Sequence, residues 1–160
     1  MHSIEDNGAP RPTRREFCMH ACQTASLVAA SGLLQACGGN SMSPSGASTL
    51  PTINASVAAG ALTLTIDAAS PLASVGTAAL VQSSAGNVLV SRTAPDTFAA
   101  VTAVCTHQAC TVTGISGQTY VCPCHGSQYS ATGAVLKGPA VSPLRAFTTR
   151  FAANVLTITL

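Results

Sequence analysis

The sequence contains no tryptophan, and aromatic residues make up only 4% of it. A core that cannot rely on large rings must be assembled from Val, Leu, Ile and Ala, and 47% of the chain is hydrophobic. Charge is almost as scarce, at 8%. The net +2 includes no basic cluster beyond the first 15 residues, so nothing offers an electrostatic footprint for nucleic acid. There is no Gly-rich strand-to-helix turn and no GK[ST] run, hence no phosphate cradle. No acid–base pair stands out, so the sequence shows no bond-making chemistry of its own. At 160 residues there is room for one domain and a tail.

Cysteine is the exception to this sparseness, with seven in the chain. Four of them fall in two short boxes, CTHQAC from Cys105 and CPCHGS from Cys122. Each box offers a thiol and an imidazole to a common centre: Cys105 with His107, and Cys122 with His125. Two thiolates and two imidazoles suit a tetrahedral zinc, or an iron–sulfur cluster in which two histidines replace two cysteines on one iron. Structural zinc sites usually pair like with like, C-x2-4-C and H-x3-5-H. Here each box mixes the two types. A mixed box lets each loop give a sulfur to one iron and a nitrogen to the other.

The pattern C-x-H…C-x2-H, with the HGSQY run and the later Gly138-Pro139, resembles the Rieske iron–sulfur proteins. The resemblance implies one [2Fe-2S] cluster, with Cys105 and Cys122 on the buried iron and His107 and His125 on the outer one. It also implies a disulfide between Cys110 and Cys124, as in the high-potential branch. Ser127 and Tyr129 match positions whose hydroxyls donate to cluster sulfur, and Gly138, Pro139 and Ala140 match the proline loop that covers the cluster. Without the resemblance, Ser127 reads as a turn residue, Tyr129 as a half-buried strand aromatic and Pro139 as the start of a turn. With two histidines the oxidised cluster is neutral, so an added electron is less opposed, and such potentials lie at roughly −150 to +300 mV.

The N-terminus reads as a targeting segment. Thr13-Arg14-Arg15-Glu16-Phe17 resembles a twin-arginine export signal, and a weakly apolar stretch over residues 17–36 follows, interrupted by His20, Gln23 and Gln35. Leu34-Gln35-Ala36-Cys37-Gly38 resembles a lipoprotein cleavage box, which would make Cys37 the lipidated first residue of the mature protein. A retained transmembrane anchor is the competing reading, but three polar side chains make a poor span. On the lipoprotein reading every cysteine has a place, since Cys18 and Cys22 leave with the signal. Histidines His2 and His20 lie in the signal and carry no inferred role. Residues 38–48, GGNSMSPSGAS, read as a flexible tether averaging roughly 18 Å end to end. The expected division is 1–36 signal, 37–49 tether and 50–160 cluster domain, placed on the extracytoplasmic, periplasmic face of a bacterial membrane.

The domain reads as all-β. Leu62, Leu64 and Ile66 alternate with Thr63, Thr65 and Asp67, as do Leu156, Ile158 and Leu160 with Thr157 and Thr159. Strands are also expected over 78–83, 88–92, 98–104, 119–122, 128–131, 134–137 and 144–151, with a hairpin turn over 84–87 and another turn at Thr132-Gly133. No long helix is expected after the signal. This predicts a Rieske-type antiparallel β-sandwich or barrel with the cluster-binding loops as a subdomain at one end.

The function expected from these readings is one-electron transfer, as a membrane-tethered extracytoplasmic carrier or as the iron–sulfur subunit of a respiratory oxidoreductase complex. The donor would be a quinol-oxidising or molybdenum-type subunit, the acceptor a cytochrome c, and the membrane is met through the lipid anchor. Two alternatives are a quinol–cytochrome c reductase subunit and the small subunit of an arsenite-oxidase-type enzyme. Gln108 stands where the first of these usually carries an apolar residue. A Rieske ferredoxin serving a dioxygenase fits less well, since those lack the extra cysteine pair. From a different class comes a zinc-stabilised surface lipoprotein. Arg145 and Arg150 read either as a docking patch or as solubilising charge.

Overall fold

The computed structural model describes residues 46–160, so the expected signal, with Arg14, Arg15 and Cys37, and most of the tether lie outside the described residues. The strands, in chain order, are β1 (Ser48–Thr49), β2 (Thr52–Asn54), β3 (Val57–Ala58), β4 (Ala61–Thr65), β5 (Ala78–Ser83), β6 (Gly86–Ala94) and β7 (Thr97–Thr102), then β8 (Gly114–Ser116), β9 (Thr119–Val121), β10 (Gln128–Tyr129), β11 (Val135–Lys137), β12 (Ala146–Ala152) and β13 (Val155–Thr159). They form an eight-stranded sheet in the order β2-β5-β6-β7-β12-β13-β4-β3, and a five-stranded sheet β1-β8-β9-β10-β11. Every ladder is antiparallel except β2 with β5. Among the described residues there is no helix.

The apolar runs of β5 to β7 are continuous because both faces of these strands are covered, where a half-solvated strand would alternate. On one face Ala79 and Val81 of β5, Val88 and Val90 of β6, and Phe98 and Ala100 of β7 meet Leu62, Leu64, Leu156 and Ile158, brought round by the curl of the large sheet. On the other face Ala78, Leu80, Leu89 and Val101 meet Leu50, Val112, Tyr120, Tyr129 and the thiols Cys105 and Cys122. The small sheet is thus laid on the large one, and the two cysteines share its core.

The expected strand 98–104 ends at Thr102, because the chain must turn to deliver Cys105. Beyond it only a single bridge, Val104 with Thr111, remains. Ile66 lies past the end of β4 yet is 5% exposed, its amide donating to the Asn154 carbonyl at 2.8 Å. The hairpin of β5 and β6 turns more tightly than expected, with Ser83 paired to Gly86. Gly133 does form a turn, at φ 89°, and a side chain there would sit 3.1 Å from Leu144 and Val101. That close approach is where the loop returning to β12 crosses the small sheet. Strands β1, β2, β3 and β8 went unforeseen, since two or three residues are too few to show a period of two.

Candidate metal centre

Cys105 and Cys122 each open a loop closed in the same way. The Cys105 carbonyl accepts from the Ala109 amide (2.9 Å), and its own amide donates to the Cys110 carbonyl (2.8 Å). The Cys122 carbonyl accepts from Gly126 (3.0 Å), and its amide donates to Ser127 (2.8 Å). In both loops the residue four past the cysteine is left-handed, Ala109 at φ 55° and Gly126 at φ 73°. Two different sequences therefore make one backbone turn, which folds each sulfur back toward the amides that follow it. Those amides are His107 and Gln108 for Cys105, and Cys124 and His125 for Cys122.

These paired turns bring together the four expected ligands. Cys105 and Cys122 are free thiols, 3% and 1% exposed, and their sulfurs lie within hydrogen-bond reach of each other. His107 is half-buried and His125 exposed, their rings meeting edge to face at 4.8 Å. The disulfide Cys110–Cys124 joins the two loops, with Cα atoms 6.5 Å apart. Sulfur thus faces sulfur inside, and imidazole faces imidazole outside.

Electrostatics distinguishes the two thiols. Burial opposes ionisation of Cys105, but the Tyr129 hydroxyl and the His107 and Gln108 amides outweigh it and hold the thiol below its ordinary value. Cys122 is pushed up, first by burial and then by the neighbouring Cys105 sulfur, despite its own amide donors. Tyr129 is raised by burial and by Cys105, so its phenol stays protonated and can donate. Its oxygen lies 3.2 Å from Cys105 Sγ. Ser127, fully buried, accepts from the Ala140 amide at 3.0 Å, which leaves its own hydrogen free to donate and ties the second box to the proline loop. Gly138-Pro139 is a cis peptide, and Ala140 beyond it is buried.

Two participants escaped the sequence reading. Thr106 donates its hydroxyl to the Ser142 carbonyl (2.6 Å), and its amide donates to the Tyr129 oxygen (3.2 Å), joining the first box to the tyrosine and the far side of the proline loop. It lies inside CTHQAC, but nothing local marks a threonine between two ligands as a brace. The second is Tyr120, on β9, whose hydroxyl pairs with Ser91 of β6 across the two sheets. Burial pushes its phenol up to about 12. The signal available was that Tyr120 and Tyr129 are the only tyrosines in a chain poor in rings.

Do these residues fit a two-iron cluster? His107 Nδ1 is buried with no hydrogen-bond partner, a costly state for a ring nitrogen unless it has a metal to bind. A pair of thiols and a pair of imidazoles side by side match two metals with two ligands each. They fit.

The chain matches the profile of the Rieske [2Fe-2S] domain over residues 65–148. It belongs to the Rieske [2Fe-2S] family. As a Rieske domain it carries one [2Fe-2S] cluster and acts as an iron–sulfur electron carrier. It is 44% identical over 70 residues to a cytochrome b6-f complex iron-sulfur subunit of Prochlorococcus marinus (strain NATL1A), spanning 41% of this chain and 39% of that relative's length. The cyanobacterial plasma membrane Rieske protein PetC3 from Synechocystis PCC 6803 is 33% identical with TM-score 0.47, over 52% of this chain and 86% of that one. Naphthalene 1,2-dioxygenase shares the fold at TM-score 0.51 and 19% identity, over 61% of this Rieske chain and 25% of its own.

Proposed function

We propose that Cys105 and Cys122 bind one iron of the cluster and His107 and His125 the other, and that the protein passes single electrons through the histidine side as a membrane-tethered, extracytoplasmic carrier or complex subunit. The observation that carries the ligand assignment is the unpartnered, buried Nδ1 of His107, two residues along the chain from one of two buried thiols that lie within hydrogen-bond reach of each other. When bound, the cluster accepts and returns one electron at a potential above that of all-cysteine clusters. The chain's own part is to ready and orient the ligands. Tyr129 and the loop amides favour the Cys105 thiolate that a metal needs. The Cys110–Cys124 disulfide holds the two loops in register, and Ser127 and Thr106 fasten the proline loop over them.

The similarity to cytochrome b6-f subunits supports service in a quinol-oxidising complex. Against that, Gln108 is exposed next to His107 and offers an amide where an apolar quinone contact is expected. Export by Arg14-Arg15 and lipidation at Cys37 complete the proposal, resting on the sequence motifs. The test is a redox titration followed by low-temperature EPR. A reduced-state signal of a histidine-ligated two-iron cluster, titrating within roughly −150 to +300 mV, is expected. A colourless protein with one zinc per chain would overturn the reading.

A further inference from the structure

A further inference rests on this reading of the four ligands and names the partner that meets them. Charge is so sparse that its placement can be followed side chain by side chain. The charged side chains of the described residues, histidines aside, are Asp67, Arg92, Asp96, Lys137, Arg145 and Arg150. None belongs to the loops of the metal-bearing end, residues 104–111, 122–127 and 138–143. Lys137 and Arg145, both exposed, bracket the last of these loops. Lys137 is paired with Gln128, the neighbour of Ser127. The Arg145 carbonyl accepts from Thr102, where β7 leads up to Cys105.

Both acids are at the opposite end. Asp96 lies in the turn before β7, which then runs toward Cys105 over a path of about 30 Å at strand rise. Asp67 follows β4, whose Thr65 pairs with Val155 beside the β12–β13 turn, while the other end of β12 pairs with Val101 near the metal-bearing end. Arg92 and Arg150 lie toward the acids, opposite Phe98 and Thr157. Among the described residues, one end therefore has two cations and no acidic side chain, and the other has both signs in balance. The cationic end also presents apolar surface: Val141 is 91% exposed and Val104 46%, on segments joined by the Thr106–Ser142 hydrogen bond.

We propose that the metal-bearing end docks a redox protein whose contact face is apolar at its centre and ringed by carboxylates, with Val141 and Val104 as contacts and Lys137 and Arg145 as the steering pair. The uncharged loops around His107 and His125 bury no unpaired charge when covered, while the flanking cations raise the encounter rate without entering the contact. One electron passes between the two centres, and no bond forms or breaks.

The test uses detergent-solubilised holo-protein, fully reduced with dithionite, freed of excess reductant and mixed by stopped flow with a ferric c-type cytochrome of acidic surface, and separately with one of basic surface. Ionic strength is varied from about 10 to 300 mM, which takes the screening length from about 30 Å to below 8 Å. The rate with the acidic cytochrome is expected to fall about tenfold, and that with the basic one to stay flat or rise. Lys137→Gln with Arg145→Gln should remove most of that salt dependence with midpoint potential and EPR signal unchanged; Lys137→Gln alone should remove part of it. Arg150→Gln, which deletes the same charge from the other end, should leave it intact. A rate with the acidic cytochrome that is flat or rises with salt, or an Arg150→Gln effect as large as that of Lys137→Gln, would overturn the docking inference. Absence of the EPR signal before mixing would instead defeat the metal assignment.

Discussion

Tyr129 shows how one side chain bears on the electron. Its phenol, kept protonated by burial and by Cys105, lies 3.2 Å from that sulfur, and on the proposed ligand assignment it would stabilise the more negative, reduced state. A hydrogen bond that strengthens by about 1.4 kcal/mol when the sulfur gains charge raises a one-electron potential by about 60 mV. Tyr129→Phe is expected to lower the midpoint potential by about that amount while keeping the EPR line shape; an unmoved potential would remove the hydroxyl from the tuning set. Tyr129 and Ser127 were singled out by the family resemblance, because they sit at fixed offsets from the expected ligands. Thr106, Tyr120 and Ser91 were not, because their partners lie 36 residues away for Thr106 and 29 apart for the other pair, and no local pattern encodes contacts of that separation.

At the scale of elements, the two metal-bearing loops are held by one covalent tie and the large sheet by its turns. The disulfide joins cysteines separated by 14 positions, closing a loop that contains β8 and β9, a constraint worth roughly 3 kcal/mol on the chain-entropy model. Replacing Cys110 and Cys124 together by alanine is expected to leave the four ligands in place but to speed cluster loss on warming, followed by bleaching of the visible absorption; bleaching at the wild-type rate would show that the hydrogen-bonded turns suffice. The β12–β13 hairpin closes through Ala153 and Asn154, both at positive φ, 50° and 63°. Asparagine tolerates that conformation better than alanine, so Ala153→Asn is expected to raise stability by about 1 kcal/mol, read as a higher thermal midpoint. The hairpin's existence followed from alternation in residues 155–160, whereas the turn had no Asn-Gly signature to announce it.

Taken whole, the molecule carries its chemistry at one end and, on the proposed reading, its membrane attachment on a segment that enters β1 at the edge of the small sheet. If Cys37 is acylated as proposed, Cys37→Ser should release the mature protein into the soluble fraction or leave its precursor uncleaved, and an unmodified Cys37 by mass spectrometry would end the lipoprotein reading. The sequence by itself determined the family, the cofactor and the all-β class, because metal ligation demands particular residue types at short fixed spacings and strands write their period into a few neighbouring residues. Only the tertiary structure decided that β5 to β7 are covered on both faces, that both loops share one turn, that Thr106 braces the proline loop, and that, among the described residues, two of the cations flank the end with the candidate ligands while both acids lie away from it. Those depend on which distant segments the folded sheets bring together, and hydrophobic burial, being non-directional, does not specify that in any local stretch of sequence.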